Sequence, residues 1–116
     1  MLSTEEQSII QQWLFQFRLS SRIRKVSRDL SDGVLVAEIL HQLFPRLVDL
    51  HNYTKGFATA RKLDNWETLN RKVLKKLGIY LTPDIILSVT QGTPGAAYDI
   101  LMEIMIAAER NGIECL

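Results

Sequence analysis

Apolar residues recur three and four positions apart in several segments of this chain, and no segment shows a sustained alternation of apolar and polar residues. The first spacing places apolar side chains on one face of an α-helix, whereas alternation would indicate a half-buried strand. The chain has 116 residues, of which 47% are hydrophobic and 23% charged, as is usual for one globular domain. The sequence therefore predicts a single all-α domain over residues 1–116, with about five or six helices.

Capping and helix-breaking residues mark where these helices begin and end. Ser3 and Glu6 can form a reciprocal cap, and Pro45 disfavours helical backbone in the residue before it. Thr82 and Thr93 each precede a proline, an arrangement that favours a helix start. The predicted helices are 4–17, a helix from a Ser31 cap to Pro45, 58–77 with Gly78 at its end, 83–90 and 94–110.

The helix after Ser31 carries apolar residues on more than one face, which predicts that it is the buried centre of the domain. Trp13 and Trp66 each share the apolar face of their helix, so both are predicted to pack in the core. Segment 19–30 lacks either spacing and is basic, and we expect it to form a loop or a single turn.

Residue patterns that would support catalysis are missing from the sequence. His41 and His51 have no second histidine or cysteine at metal-ligand spacing, and we interpret both as structural. There is no glycine-rich phosphate loop and no nucleophile motif. We therefore predict a binding protein that is not an enzyme and that needs no metal or cofactor.

The ends of the chain and its one cysteine bear on the compartment. Cys115 cannot form an internal disulfide, which fits a reducing environment. The N-terminus has acidic residues where a signal peptide has basic ones, and the longest apolar stretch, 100–108, is broken by Glu103. A cytoplasmic protein without membrane contact is expected.

The formal net charge of +1 hides an uneven distribution. Residues 18–76 contain 13 basic and 6 acidic residues, whereas the flanking segments 1–17 and 77–116 are both net acidic. Such asymmetry indicates an anionic partner for the central part of the chain. The cations that we single out are Arg61, Arg71, Lys72, Lys75 and Lys76 in the predicted helix 58–77, and Arg22, Arg24, Lys25 and Arg28 in the segment before the central helix.

The cations of helix 58–77 are not explained by helix stability. Four of them form two like-charged pairs four positions apart, and each pair costs an isolated helix about 0.2–0.5 kcal/mol. Lys75 and Lys76, in the last predicted turn, can offset the negative end of the helix dipole. Arg61 and Lys72 lie eleven residues apart and return to nearly the same angle, with Asn65 and Thr68 between them. This spacing predicts a continuous basic stripe that binds an anionic partner, and a merely solvated face is the alternative.

These residues resemble the calponin homology domain, a small helical binding module. The resemblance rests on Trp13 with Leu14, on the Asp32-Gly33-Val34-Leu35 helix start, and on Asn65 with residues 69–78. The sequence is most similar to the domains of the sperm flagellar protein 1, or CLAMP, type. The residues that carry this closer similarity are 30–38, 44–45, 51–53, 62–63, 65–66, 69–77 and 94–95.

The resemblance implies a microtubule-binding module of ciliary and flagellar proteins, found at the axonemal central pair and in related microtubule bundles. It also implies that this chain is the N-terminal fragment of a longer protein, in which a region outside the chain would supply any oligomerisation. Tubulin has a strongly acidic surface, so the nine cations are predicted to face the microtubule through a basic helix face.

Two other binding functions stay open at this stage. Actin binding is less expected, because residues 98–105 depart from the pattern of actin-binding calponin homology domains and strong actin binding usually takes two such domains in tandem. A helical adaptor for a single protein partner is the other alternative. Nucleic-acid binding is not expected, because the pI of 7.9 is below the pI that is usual for nucleic-acid-binding domains.

Overall fold

In the computed structural model, which describes residues 2–113, the chain forms six α-helices and two 3₁₀ turns, and this part of the chain contains no strand. The α-helices are α1 (Thr4–Leu14), α2 (Val26–Asp29), α3 (Val34–Leu43), α4 (Thr59–Lys72), α5 (Pro83–Thr90) and α6 (Ala96–Arg110). The 3₁₀ turns are Leu50–Asn52 and Leu74–Leu77. The predicted all-α class is confirmed, and α2 is the single turn expected in the basic segment 19–30.

The central helix of the domain is α3, as predicted. Six of its ten residues are buried. The chain enters α3 through Gly33, whose φ of 80° lies in the left-handed region that favours glycine. A Cβ at this position would lie 3.3 Å from Leu69 Cδ1 and 3.4 Å from Trp66. Glycine therefore allows the start of α3 to pack directly against α4.

Both tryptophans lie in the core, which confirms their prediction. Trp13 on α1 is 2% exposed and stacks edge-to-face on Phe17, with ring centroids 4.9 Å apart. Trp66 on α4 is completely buried, and its Nε1 donates to the carbonyl oxygen of Ser31 at 2.9 Å. The hydrogen bond from Trp66 to Ser31 fixes α4 to the residues that lead into α3.

The first helix begins as predicted and ends earlier. Ser3 and Glu6 form the reciprocal cap, since each side chain accepts from the backbone N–H of the other residue. The helix stops at Leu14 instead of residue 17, and the next residues continue in turns that close i to i+3. The three residues at the end of the predicted helix therefore form a bend that leads into segment 18–25.

The prediction that Ser31 caps the central helix is wrong. The Ser31 hydroxyl donates to the carbonyl oxygen of Arg28, and so belongs to the end of α2. Asp32 provides the side-chain acceptor at the start of α3, because its Oδ1 accepts from the Val34 N–H at 3.0 Å. The free N–H at the start of α3 is therefore satisfied by the Asp32 carboxylate and not by the Ser31 hydroxyl.

The two Thr-Pro sequences behave differently. Thr82 caps α5, with its Oγ1 accepting from the Ile85 N–H, and this helix has the predicted bounds. Thr93 does not cap α6, which begins only at Ala96 after Gly95 takes the left-handed conformation with φ of 90°. A helix cannot propagate through that conformation, so the glycine moves the helix start by two residues.

The predicted helix 58–77 is divided. Its α-helical part ends at Lys72, Val73 leaves the helical region with φ of −121°, and a 3₁₀ turn follows over Leu74–Leu77. Tightening of the last turn is common at helix ends. Gly78 then ends the element in the left-handed conformation, as predicted. The expectation for Cys115 concerns a residue outside the described range.

Candidate partner-binding surface

Three polar side chains of α4 hold irregular segments of the chain against this helix. Asn65 and Trp66 bond to Asp32 and Ser31, at the entry to α3. Asn70 is paired with the backbone of Leu81, because its Nδ2 donates to the Leu81 carbonyl and its Oδ1 accepts from the Leu81 N–H, both at 3.0 Å. The backbone around α4 is therefore fixed by side chains in places where no helix or sheet supplies partners.

The predicted continuous stripe between Arg61 and Lys72 is wrong, because the chain crosses α4 between them. Asn65 is completely buried under Thr54. Its Nδ2 donates to the Thr54 carbonyl at 2.8 Å and its Oδ1 accepts from the Thr54 N–H at 3.3 Å. Periodicity placed Asn65 between the two cations correctly, and tertiary packing covers it. Arg61 and Lys72 are thus exposed on either side of the segment that contains Thr54.

All nine predicted cations are exposed. Within residues 2–113, Arg28 is the one member of this set in an ion pair, with its Nε 3.0 Å from Asp29 Oδ1. The other eight have no carboxylate oxygen within ion-pair distance in the described part of the chain. Most of these cations therefore form no ion pair within the described part of the domain.

The charge around Arg71 is partly offset by its helix neighbours. Glu67 lies four residues before Arg71 and Asp64 seven before it, so all three project from one side of α4. Arg71 also lies near Tyr53, where burial raises the pKa of the phenol and the charge of Arg71 acts to lower it. Arg71 therefore has two acidic residues on its own side of α4.

Lys72 lies beside the 3₁₀ turn Leu50–Asn52. The pKa of Asp49 is lowered chiefly by the hydrogen bond from the His51 backbone N–H, then by the His51 ring, and to a smaller extent by the charge of Lys72. Lys75 and Lys76 follow on the next 3₁₀ turn. Because the backbone changes at Val73, these two lysines do not stand directly above Arg71 and Lys72 as a continuous α-helix would place them.

The second basic segment is held by Asp29. One carboxylate oxygen accepts from the backbone N–H groups of Arg24 at 2.8 Å and Lys25 at 2.9 Å. Burial acts to raise the pKa of Asp29, but these two N–H groups and the Arg28 guanidinium outweigh it and hold that pKa below its ordinary value. The carboxylate of Asp29 is therefore committed to the backbone and to Arg28.

Two lysines that sequence reasoning passed over connect the two basic segments. Lys55 Nζ donates to Ser21 Oγ at 2.8 Å, and Lys62 Nζ donates to Ser31 Oγ at 3.1 Å. Both acceptors are neutral hydroxyl groups, so the positive charges remain. The three basic residues between positions 55 and 62 were the available signal, although spacing alone could not show which side chains meet.

Phe57 is the second feature that sequence reasoning missed. It is 99% exposed and lies between Lys55 and Arg61 in the chain. The neighbouring Gly56 is closely packed, since a Cβ there would lie 2.7 Å from Arg61 Cγ. The aliphatic part of Arg61 therefore rests on the backbone beside an exposed aromatic ring. We refer to Lys55, Phe57, Arg61, Arg71, Lys72, Lys75 and Lys76 as the α4 surface.

A family model described as a CH-like domain in sperm protein matches residues 10–106 of this chain. The chain belongs to this family. The matched region includes α1 from Ile10 onward, α2 to α5 and most of α6, so it contains the helices that carry both basic segments. The resemblance to the calponin homology domain of the sperm flagellar protein 1 type is thereby confirmed.

Curated relatives of this CH-like domain are similar over most of its length. Sperm flagellar protein 1 of Xenopus laevis is 41% identical over 102 residues, which cover 88% of this chain and 42% of that protein. The Homo sapiens protein of the same name is 41% identical over 92 residues, covering 79% of this chain and 39% of the relative. Sperm flagellar protein 2 of Rattus norvegicus is 28% identical over 106 residues, or 6% of its length. The chain thus spans about two fifths of the sperm flagellar protein 1 relatives.

None of the helices between residues 2 and 113 combines the length and the apolar character that crossing a membrane requires.

Proposed function

We propose that this CH-like domain is a non-enzymatic microtubule-binding module, and that the α4 surface contacts the acidic surface of tubulin. The observation that carries the proposal is the exposed positive charge: eight of the nine predicted cations are exposed and have no carboxylate oxygen within ion-pair distance among residues 2–113. Such a surface attracts an anionic partner, raises the encounter rate and fixes its orientation.

The shape of the α4 surface supports contact with a folded partner. Its cations lie on α4, on the 3₁₀ turn Leu74–Leu77 and on the segment that Asn65 holds against α4. Little conformational entropy is then lost on binding, compared with cations on a flexible tail. Lys55 and Lys62 extend the positive charge toward the second basic segment.

Phe57 can give the contact a positional specificity that the charges alone do not provide. Long-range attraction between opposite charges has little positional specificity, and most binding energy in protein interfaces comes from a few buried anchors, often aromatic. Phe57 is fully exposed in the free domain and is bracketed by Lys55 and Arg61. Burial of this ring against tubulin would give the contact a fixed register.

The relatives named sperm flagellar protein 1 support a location in the cytoskeleton of cilia or flagella. We infer that the protein is associated with axonemal microtubules, including those of the central pair. Fluorescent fusion protein in a ciliated cell should coincide with the axoneme. A diffuse cytoplasmic signal that is absent from cilia would contradict this inference.

Co-pelleting with stabilised microtubules tests the function. The double variant Lys72→Glu/Lys76→Glu should lose most of its pelleting at low salt. The matched control is Arg18→Glu/Arg46→Glu, which makes the same charge change at two exposed residues outside the α4 surface. The Arg18 backbone is bonded to Gln42 of α3. Equal pelleting of both variants and wild type would refute the assignment.

Two further measurements separate the alternatives. Wild-type pelleting should weaken as ionic strength rises past about 0.15 M, where the screening length falls to about 8 Å. A parallel assay with actin filaments should leave the domain in the supernatant. If the domain pelleted with actin and not with microtubules, the actin-binding alternative would replace the proposal.

A further inference from the structure

A groove opens between the end of α1, segment 17–27 and the start of α6, and its volume is about 780 Å³. Its apolar lining includes Leu14, Ile23, Pro94 and Tyr98. Gln11 Nε2 donates to Tyr98 Oη at 2.6 Å, which ties α1 to α6 along the wall of the groove. We call this feature the α1–α6 groove.

The rim of the groove is basic. Arg22, Arg24 and Lys25 line it, and no acidic side chain does so among the described residues. Asp29 is the nearest carboxylate along the chain, but it accepts from the Arg24 and Lys25 N–H groups and pairs with Arg28. The segment is therefore braced through its backbone while its three cationic side chains remain free to contact a ligand.

An aromatic ring stands exposed at the same rim. Phe15 lines the groove, yet it is 87% exposed. It is placed directly after α1, where its N–H bonds to the carbonyl oxygen of Gln12 at 3.2 Å. An exposed phenylalanine beside an apolar groove is positioned to be covered by an apolar group of a partner.

We propose that the α1–α6 groove binds a flexible acidic peptide segment that carries an apolar side chain. The cations of the rim would neutralise the carboxylates, and the apolar side chain would enter the groove and cover Phe15. A concave site of this size accepts an extended segment of a few residues. The two basic segments then bind two different parts of a partner.

This inference rests on the proposed function for the source of the peptide. The acidic C-terminal tails of tubulin are flexible segments of the required charge, and a microtubule presents them beside its folded surface. On this assignment the α4 surface contacts the folded lattice and the groove takes a tail. Linking two weak contacts in this way raises the overall affinity without any new contact, provided both can be engaged at once.

A peptide titration tests the groove without microtubules. The isotope-labelled domain is titrated with a glutamate-rich peptide that has one central phenylalanine, and with the same peptide bearing serine there. Backbone resonances of Leu14, Ile23 and Tyr98 should shift, and the phenylalanine peptide should bind more tightly. Shifts confined to the α4 surface, no shifts, or equal affinity for the two peptides would overturn the proposal.

Charge variants complete the titration. Arg24→Glu/Lys25→Glu should weaken the peptide affinity by about tenfold or more, since it reverses two charges at the rim. Lys72→Glu/Lys76→Glu, with the same change in net charge at two exposed residues that do not line the groove, should leave it within about twofold. Equal losses in both variants would mean that overall charge alone attracts the peptide, which would refute a built groove.

Microtubules whose tails have been removed by limited proteolysis connect the groove to tubulin. On intact microtubules Arg24→Glu/Lys25→Glu should bind more weakly than wild type, and on tailless microtubules the two should bind alike. A persistent difference on tailless microtubules would overturn the tail assignment. Because the peptide titration does not depend on microtubules, failure of the proposed function and failure of the groove give different results.

Discussion

Asn65 and Thr54 exchange two hydrogen bonds, so that one buried side-chain amide satisfies both backbone groups of a residue in an irregular segment. Asn65→Ala removes these bonds and a third one to the Asp32 carbonyl. Because buried polar groups lose their partners, the free energy of unfolding should fall by about 2–4 kcal/mol. Chemical denaturation measures the loss. Asn52→Ala, at an exposed residue, should stay within about 0.5 kcal/mol of wild type. Equal losses would contradict the role of Asn65.

The two buried tryptophans give a matched pair for testing one hydrogen bond. The Trp66 Nε1 donates to Ser31, whereas the Trp13 Nε1 is buried without a hydrogen-bond partner among the described residues. Each Trp→Phe change removes similar volume. Trp66→Phe should therefore destabilise the domain by about 1–3 kcal/mol more than Trp13→Phe, because it leaves a buried carbonyl without its donor. Denaturation curves that show equal losses would remove this distinction.

Asp29 should make stability depend on pH. Its pKa in the folded domain is lower than in the unfolded chain, so its contribution is fully present above the unfolded pKa and is lost as pH falls through the folded pKa. Asp29→Asn lacks this dependence. The difference in melting temperature between wild type and Asp29→Asn should be largest near neutral pH and shrink below about pH 4.

Glu103→Gln is the control for that measurement. Glu103 is an exposed carboxylate on α6 with no hydrogen bond in the described structure, so Glu103→Gln removes the same charge as Asp29→Asn without breaking a hydrogen bond. If the difference between wild type and Asp29→Asn stayed constant down to acidic pH, the bracing of Arg24 and Lys25 by an ionised Asp29 would be wrong.

Phe57→Ser tests the apolar part of the α4 surface. The ring contacts solvent in the free domain, so thermal stability should be unchanged within about 0.5 kcal/mol. Microtubule affinity should fall by about tenfold or more, because an anchor residue loses its buried contact. Ile106→Ser removes another exposed apolar side chain, on α6, and should pellet like wild type. If Phe57→Ser pelleted as fully as wild type, the ring would contribute nothing to microtubule binding, and the affinity of the α4 surface would come from its cations.

Local signals in the sequence were sufficient where a helix is determined by its own residues. The Ser3–Glu6 cap, the Thr82 cap of α5 and the left-handed Gly78 all lie where spacing predicted them. The burial of Trp13 and Trp66 also followed from helical periodicity. The two groups of each cap are within one turn of each other, so the local sequence contains both partners.

Tertiary contacts explain what the sequence did not reveal. Asn65 has the angular position of a surface residue relative to Arg61 and Lys72, but a segment eleven residues away in sequence covers it. Ser31 resembles a helix cap, yet its hydroxyl bonds to Arg28. The exposure of Phe57 depends on the path of the chain over α4, which no local pattern specifies.

The hydrogen bonds from Asn65 and Asn70 of α4 to the backbone of Thr54 and Leu81 should slow the local opening of these two segments. The Thr54 and Leu81 amides lie outside the helices, yet each donates to a carbonyl oxygen of an asparagine side chain on α4. Exchange of these two amide hydrogens with solvent then requires α4 to separate from its neighbours, and their protection should approach that of the helical core. The segments beside the basic surface would open only when the domain as a whole does.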